Sequence, residues 1–232
     1  MPEETAAQHF DAKRVEAYDD RIRRLFPGYD VLQDAVASVL ATRLPETARL
    51  LVAGAGTGAE IVRMGEGHPQ WRFVAVDPSP DMLDRCRARV AAADMDERVE
   101  YVCARVEDLP DVQTFDAATS LLVIHFIEDE AAKQRYFQSI ADRLTPGAPL
   151  VWADLHRPED DTAFRDLWAA WREEMGTQMA TDEVERTFER IEEGISFISP
   201  PALERVVTAA GFAPPTQIYQ HLLWGAWITQ PS

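Results

Sequence analysis

The 232-residue sequence predicts an α/β fold, a sheet of mostly parallel strands with helices on both faces. Three observations predict it. From residue 48 to residue 155, short apolar runs alternate with stretches at helical spacing. The first apolar run ends in Gly54, Gly56 and Gly58, directly after a strand. The chain closes on "TQIYQHLLWGAWIT", which reads as two further strands with a short connection.

Each element follows from its residues. "HFDAKRVEAYDDRIRRLF" places Phe10, Val15, Tyr18, Ile22, Leu25 and Phe26 near helical spacing, and Pro27-Gly28 breaks it. "YDVLQDAVASVLATRL" is a second helix, with Asp30 as its expected N-cap and Pro45 beyond its end. "ARLLVAG" is a buried strand and "AEIVRMGEG" a short helix. "RFVAVD" and "SPDMLDRCRARVAAA" are the next strand and helix. "VEYVCA" is a third strand. "FDAATSLLV" is a fourth, followed by the helix "EDEAAKQRYFQSIADRL". The turn "TPG" leads into "APLVWADL", the fifth. Beyond it the chain is helical, acidic and rich in tryptophan, an expected insertion packed over the sheet's edge. "SPPALERVVTAAGF" is a last helix, stopped by Gly211.

Composition narrows the function. No run of about 18 apolar residues exists, so no transmembrane helix is expected. The polar, acidic N-terminus lacks the features of a secretory signal, and a soluble cytoplasmic protein is expected. Cys86 and Cys103 form neither a metal-ligand spacing nor a disulfide framework. No metal is expected. A net charge of −17 disfavours bulk nucleic acid, whose binding needs basic surface.

A glycine inside regular structure costs roughly 0.5–1 kcal/mol relative to alanine. Three after a strand therefore point to a sharp turn, or to a ligand lying against bare backbone. The helix that follows presents unpaired N–H groups there. The spacing satisfies both G-x-G-x-G and the dinucleotide pattern G-x-G-x-x-A. Asp77, at the end of the second strand, can accept from both hydroxyls of a ribose, because a carboxylate only accepts. It can equally cap the helix after Pro78. Either nucleotide class satisfies these residues.

The ordered set of motifs resembles one family, the class I S-adenosylmethionine (SAM) dependent methyltransferases. "LLVAGAGTG", "VAVDPSPDML", "ARVEDLP" and "FDAATSLLVIHFIED" resemble its first four motifs, and "ADRLTPGAPLVWADL" its Pro-Gly turn into strand five. "RRLFPGYD" and the C-terminal strands are similar to small bacterial methyltransferases related to carboxy-SAM synthases. The resemblance implies a Rossmann-like, seven-stranded mixed sheet with N-terminal helices and a helical insertion after strand five. One domain would span 1–232. Within it, 1–45 is a helical lid, 46–156 the SAM-binding core, 157–197 the helical cap, and 198–232 a helix and strand hairpin.

Site residues follow from the same resemblance. It implies that Gly54, Ala55, Gly56 and Gly58 line the methionine and ribose, and that Asp77 takes the ribose hydroxyls. It places Pro78, Met82, Arg105, Val106 and Glu107 around the adenine. Leu121 and Leu122 would present backbone groups to the methionine, and Tyr29 would contact the cofactor. Two positions depart from the family. Val52 stands where an acidic residue usually helps hold the methionine amino group. Arg105 stands where an aspartate usually accepts from the adenine amino group; Glu107 or Asp108 could substitute there. For the arginine that holds the extra carboxylate of carboxy-SAM, the matching residue is Phe188, with Arg186 and Arg190 close by. Ordinary SAM is therefore preferred.

Methyl transfer from a sulfonium needs alignment and water exclusion, and a base only where the acceptor must lose a proton. His125, after strand four, is the best candidate base. His156 is the second, with Asp154 beside it as a substrate residue. Either histidine can instead be purely positional. Tyr18, Trp168 and Trp171 are candidate substrate contacts; the tryptophans, three apart, can equally be packing. Arg14, Arg21, Arg23 and Arg24 could bring a charge to the methionine carboxylate if the first helix closes as a lid. The expected function is methyl transfer from SAM, giving S-adenosyl-L-homocysteine (SAH), to O or N of a small-molecule acceptor, without a membrane partner. A homodimer is left open. An NAD-dependent oxidoreductase and a non-catalytic SAM-fold protein are the alternatives.

Overall fold

The computed structural model describes residues 17–110 and 114–232. Phe10, Arg14, Val15 and the start of the first predicted helix lie outside the described residues. The described part of that helix is α1 (Tyr18–Leu25), followed by α2 (Tyr29–Ala41). The alternating region gives β1 (Arg49–Ala53), α3 (Ala59–Gly67), β2 (Arg72–Val76), α4 (Pro80–Ala92), β3 (Val99–Val102), β4 (Ala117–Leu121), α5 (Glu130–Ala141) and β5 (Leu150–Leu155). The cap is α6 (Asp161–Gly176) and α7 (Thr181–Gly194). Then come α8 (Pro200–Ala209), β6 (Thr216–His221) and β7 (Trp224–Thr229).

The sheet has seven strands in the order β3-β2-β1-β4-β5-β7-β6. The first five are parallel, and β7 inserts antiparallel between β5 and β6. The chain order reverses beside β1, where β4 lies on its other side. An open parallel sheet places a ligand at the carboxyl ends of the strands flanking such a switch point.

Strand alternation sorts the core into two layers. Leu50 and Val52 face one layer with α2, α3 and the cap, while Leu51 and Ala53 face the other with α5 and α8. β4 and β5 are buried along their whole length, as central parallel strands are.

One expectation is corrected. Gly28, not Asp30, precedes α2 as its cap, and Asp30 sits inside the first turn in an ion pair with Arg23 at 3.1 Å. There an acid is favoured by the helix dipole without bonding to the end N–H groups. The cap reaches the edge strand β6, where His221 Nε2 lies 2.8 Å from Glu174 of α6. It also covers the face, where Trp171 and Phe188 are buried in one cluster with Trp224 and Leu25. The Trp171 indole N–H donates to the Leu25 carbonyl at 2.7 Å. An unpaired indole N–H there would cost about 1–3 kcal/mol, which ties the cap to α1.

Candidate active site

Two adjoining chambers lie at the carboxyl ends of the strands. The first, about 290 Å³, is bordered by the glycine turn, the end of β2, the turn after β3 and the segment after β4. The second, about 450 Å³, lies between α1, α7 and the ends of β4 and β5. Tyr18, Leu122 and Phe126 border both.

Local chemistry builds the first chamber. Gly54, Gly56 and Gly58 all adopt positive φ, but for different reasons. A Cβ on Gly54 would meet Val123 Cγ2 at 2.3 Å, so this turn packs against the segment after β4. Gly58 begins α3 in left-handed geometry, and a Cβ there would meet Cys86 Sγ at 2.6 Å. Gly56 has only a carbonyl at 4.0 Å and borders the chamber. Burial raises the Asp77 pKa above the usual carboxylate value, opposed by two backbone N–H donors. These are Ser79 and Gly56, each at 2.9 Å. The same carboxylate thus fixes the glycine turn and faces the chamber.

The second chamber holds a histidine–carboxylate pair. His125 Nδ1 lies 2.5 Å from Asp154 Oδ1. Asp154 also accepts from the backbone N–H groups of His125 (3.2 Å) and Leu155 (2.7 Å). A carboxylate only accepts, so Nδ1 carries the proton and Nε2 is left as the ring's acceptor. The loop bearing His125 is clamped from the cap. Ser196 N–H donates to the His125 carbonyl at 2.9 Å, and its hydroxyl donates to the Glu128 carbonyl at 2.6 Å. Buried Lys133 donates to Ile127 O and, at 3.0 Å, to Ser196 Oγ.

Of the residues singled out in the sequence, Gly54, Gly56, Asp77, Pro78, Met82, Arg105, Val106, Glu107, Leu121 and Leu122 border the first chamber. Tyr18 borders both chambers, and His125 the second. The others lie elsewhere. Ala55 is buried under the turn, and Gly58 serves helix packing. Tyr29 packs edge-on against Phe26 at 6.4 Å, outside both chambers. His156 is buried with no partner for Nδ1 among the described residues, its ring edge-on to Trp227 at 5.6 Å, and burial lowers its pKa. Trp168 and Trp171 are 4.7 Å and 4.9 Å from Phe188 in an aromatic cluster. Phe126, Tyr136, Thr187, Arg190 and Trp224 border the chambers without having been singled out, or, for Arg190, only as a neighbour of Phe188. The helical period around Ala132 and Tyr136 was the available signal for α5. Val52 is fully buried beside Thr119. The nearby acid, Glu60, accepts from the Thr119 hydroxyl at 2.5 Å and borders neither chamber.

Residues 50–147 match the family model described as "Methyltransferase domain". This interval runs from β1 through the turn before β5. Carboxy-S-adenosyl-L-methionine synthase of Colwellia psychrerythraea is 27% identical over 154 residues, 66% of this chain and 62% of that protein. The same-named protein of Aeromonas hydrophila is 30% identical over 155 residues, 65% of this chain and 61% of that one. Residues 50–147 thus carry a methyltransferase domain, in a chain similar to SAM-utilising enzymes. The matches span only about three fifths of those relatives' lengths. Among solved structures, the DhpI–SAH complex has TM-score 0.62 at 17% identity, covering 95% of this chain and 93% of that one. The [4+2]-cyclase SpnF has TM-score 0.61 at 16% identity, covering 85% and 81%. Both likenesses are of fold.

The family's cofactor, SAM, combines an adenine, a ribose diol, a sulfonium cation and an amino acid. The first chamber fits that combination. It offers bare backbone at Gly56, an acceptor at Asp77, apolar walls at Met82 and Val106, and further carboxylates at Glu107 and Asp129.

Proposed function

We propose that this protein transfers a methyl group from SAM to an oxygen or nitrogen of a small acceptor with a largely apolar body. The observation that carries this reading is the junction. A nucleoside-shaped chamber and a chamber holding an oriented histidine share the wall formed by Tyr18, Leu122 and Phe126. SAM supplies an activated methyl group. The chain supplies position and dryness. In this reading Asp77 accepts from the ribose hydroxyls, and Gly54 and Gly56 leave backbone room for the methionine portion. Met82, Pro78 and Val106 flank the adenine. Glu107 takes the acceptor's part that Arg105 cannot play.

The second chamber takes the acceptor. Ile22, Leu25, Ile191 and Trp224 give it apolar walls, which exclude water and align a ring or chain against the junction. His125 Nε2 removes the acceptor's proton where one must leave, and Asp154 holds the tautomer that makes this work. The antiparallel β7 speaks against the oxidoreductase alternative. Arg190 at the second chamber supports one variant reading, a cofactor with an extra carboxylate. Mass spectrometry of the ligand retained on purification separates the two.

Titration calorimetry tests the main reading. SAM and SAH should bind and NAD should not. Folded protein that takes up neither SAM nor SAH would refute it.

A further inference from the structure

Helix α1 is the wall common to the two chambers. Tyr18 borders both, while Arg21, Ile22 and Leu25 border the second. On one side α1 is tied to the cap, through Trp171 and through the Arg24–Glu183 ion pair at 3.2 Å. On the other it is tied to the glycine turn. The Thr57 hydroxyl donates to Asp19 Oδ1 at 2.7 Å and accepts from Arg89 at 3.0 Å. Arg89 closes the triangle by an ion pair with Asp19. Asp19 is 8% exposed and Thr57 2%.

This triad joins three separate elements. Asp19 is on α1, next to Tyr18. Arg89 is on α4. Thr57 lies between Gly56, held by Asp77, and Gly58, seated on Cys86. The Arg89 and Asp19 side chains are 22% and 11% exposed, and breaking a partly buried pair leaves a charge that is incompletely hydrated. Thr57 joins that pair only where the turn places its hydroxyl between Asp19 and Arg89.

We propose that Asp19 and Arg89 are positioning residues: they couple the conformation of the glycine turn to α1 and so set Tyr18 at the junction of the chambers. The inference rests on the reading of the turn as the SAM site. A ligand that fixes the turn then fixes the latch, and through it the roof of the acceptor chamber. Coupling of this kind is reciprocal, so a closed roof also holds the cofactor more tightly. The consequence for the reaction is an order: cofactor first, acceptor second.

Hydrogen exchange of residues 18–25, with and without saturating SAH, tests this, with SAH affinity measured by calorimetry in parallel. In the wild type SAH should slow exchange of α1 by about fivefold or more, the low end of ordinary site-to-site coupling. In Asp19→Asn/Arg89→Met, which leaves no unpaired buried charge, SAH should still bind and still protect α3, while its effect on α1 disappears. Thr57→Val, which removes no charge, should behave the same way and carries the test if the double variant fails to fold. Arg89→Lys should restore part of the effect, which a merely structural contact would not require. Equal SAH protection of α1 in the wild type and the latch variants would overturn the coupling. So would SAH binding to the wild type with no change in α1. A wild type that does not bind SAH at all would overturn the function itself, and the latch with it.

Discussion

Replacing Glu60 by glutamine should remove a fall in stability that the wild type undergoes between pH 4.5 and about 8. Glu60 opens α3 and is buried, and its carboxyl accepts from the Thr119 hydroxyl at 2.5 Å. Burial disfavours the charged form and pushes its pKa up from 4.5 to about 8, and the Thr119 bond offsets only part of that. The folded value is above the unfolded one. Below pH 4.5 both states hold the proton, and Glu60 contributes no pH dependence. Between 4.5 and about 8 the unfolded chain releases a proton that the folded chain keeps, so stability falls as pH rises. Above about 8 both states are ionised and the loss is complete.

The size follows from that gap. At about 1.4 kcal/mol per unit, a rise of this extent amounts to roughly 4–5 kcal/mol, a large share of an ordinary domain's stability of about 5–15 kcal/mol. Glutamine keeps an oxygen for Thr119 but cannot ionise. Urea unfolding of both proteins at about pH 5 and about pH 8.5 isolates the effect, because any strain from the amide is the same at both pH values. The wild type should lose several kcal/mol more than the variant over that interval. Identical pH dependence in the two proteins would refute the assignment of a neutral, buried Glu60.

Other substitutions separate the parts of the site. Gly54→Ala places a Cβ 2.3 Å from Val123 Cγ2 at a φ of +76°; it should cost about 1–3 kcal/mol in urea unfolding and weaken SAH in calorimetry, since the turn must shift. His125→Gln should lower kcat by about 10²–10⁴ for an acceptor that loses its proton, with SAH affinity unchanged; an unchanged kcat would leave His125 a positional residue.

What the sequence made legible, and what it hid, divides along one physical line. The glycine turn and Asp77 could be read because strand, turn and helix are contiguous, and backbone geometry within about 30 residues of chain dictates what the turn can approach. The roles of individual glycines could not be read, because they depend on what lies across space. Gly54 answers to Val123 and Gly58 to Cys86, each from another element. The same limit applies to the histidines. His125 and His156 both follow strands and look alike in sequence. Only the sheet pairing of β4 with β5 brings Asp154 against the first and leaves the second buried, its Nδ1 without a partner among the described residues.

Helical periodicity has a related blind spot, because it groups residues on a face without naming what the face meets. Trp168 and Trp171 were placed on one stripe of α6, open to either packing or substrate. Their neighbour Phe188 comes from α7, and the Trp171 indole is spent on Leu25 in α1. Tyr18 and Tyr29 belong to adjoining helices, yet one faces the junction and the other the core, because the break at Pro27-Gly28 reorients the chain between them. The Asp19–Thr57–Arg89 triad is the extreme case. Its members are 38 and 70 residues removed from Asp19, and each is an ordinary residue at its own position. If the latch governs the order of binding, then the chemistry of this protein depends on a contact that no local pattern encodes, and substitutions outside either chamber's lining should change it.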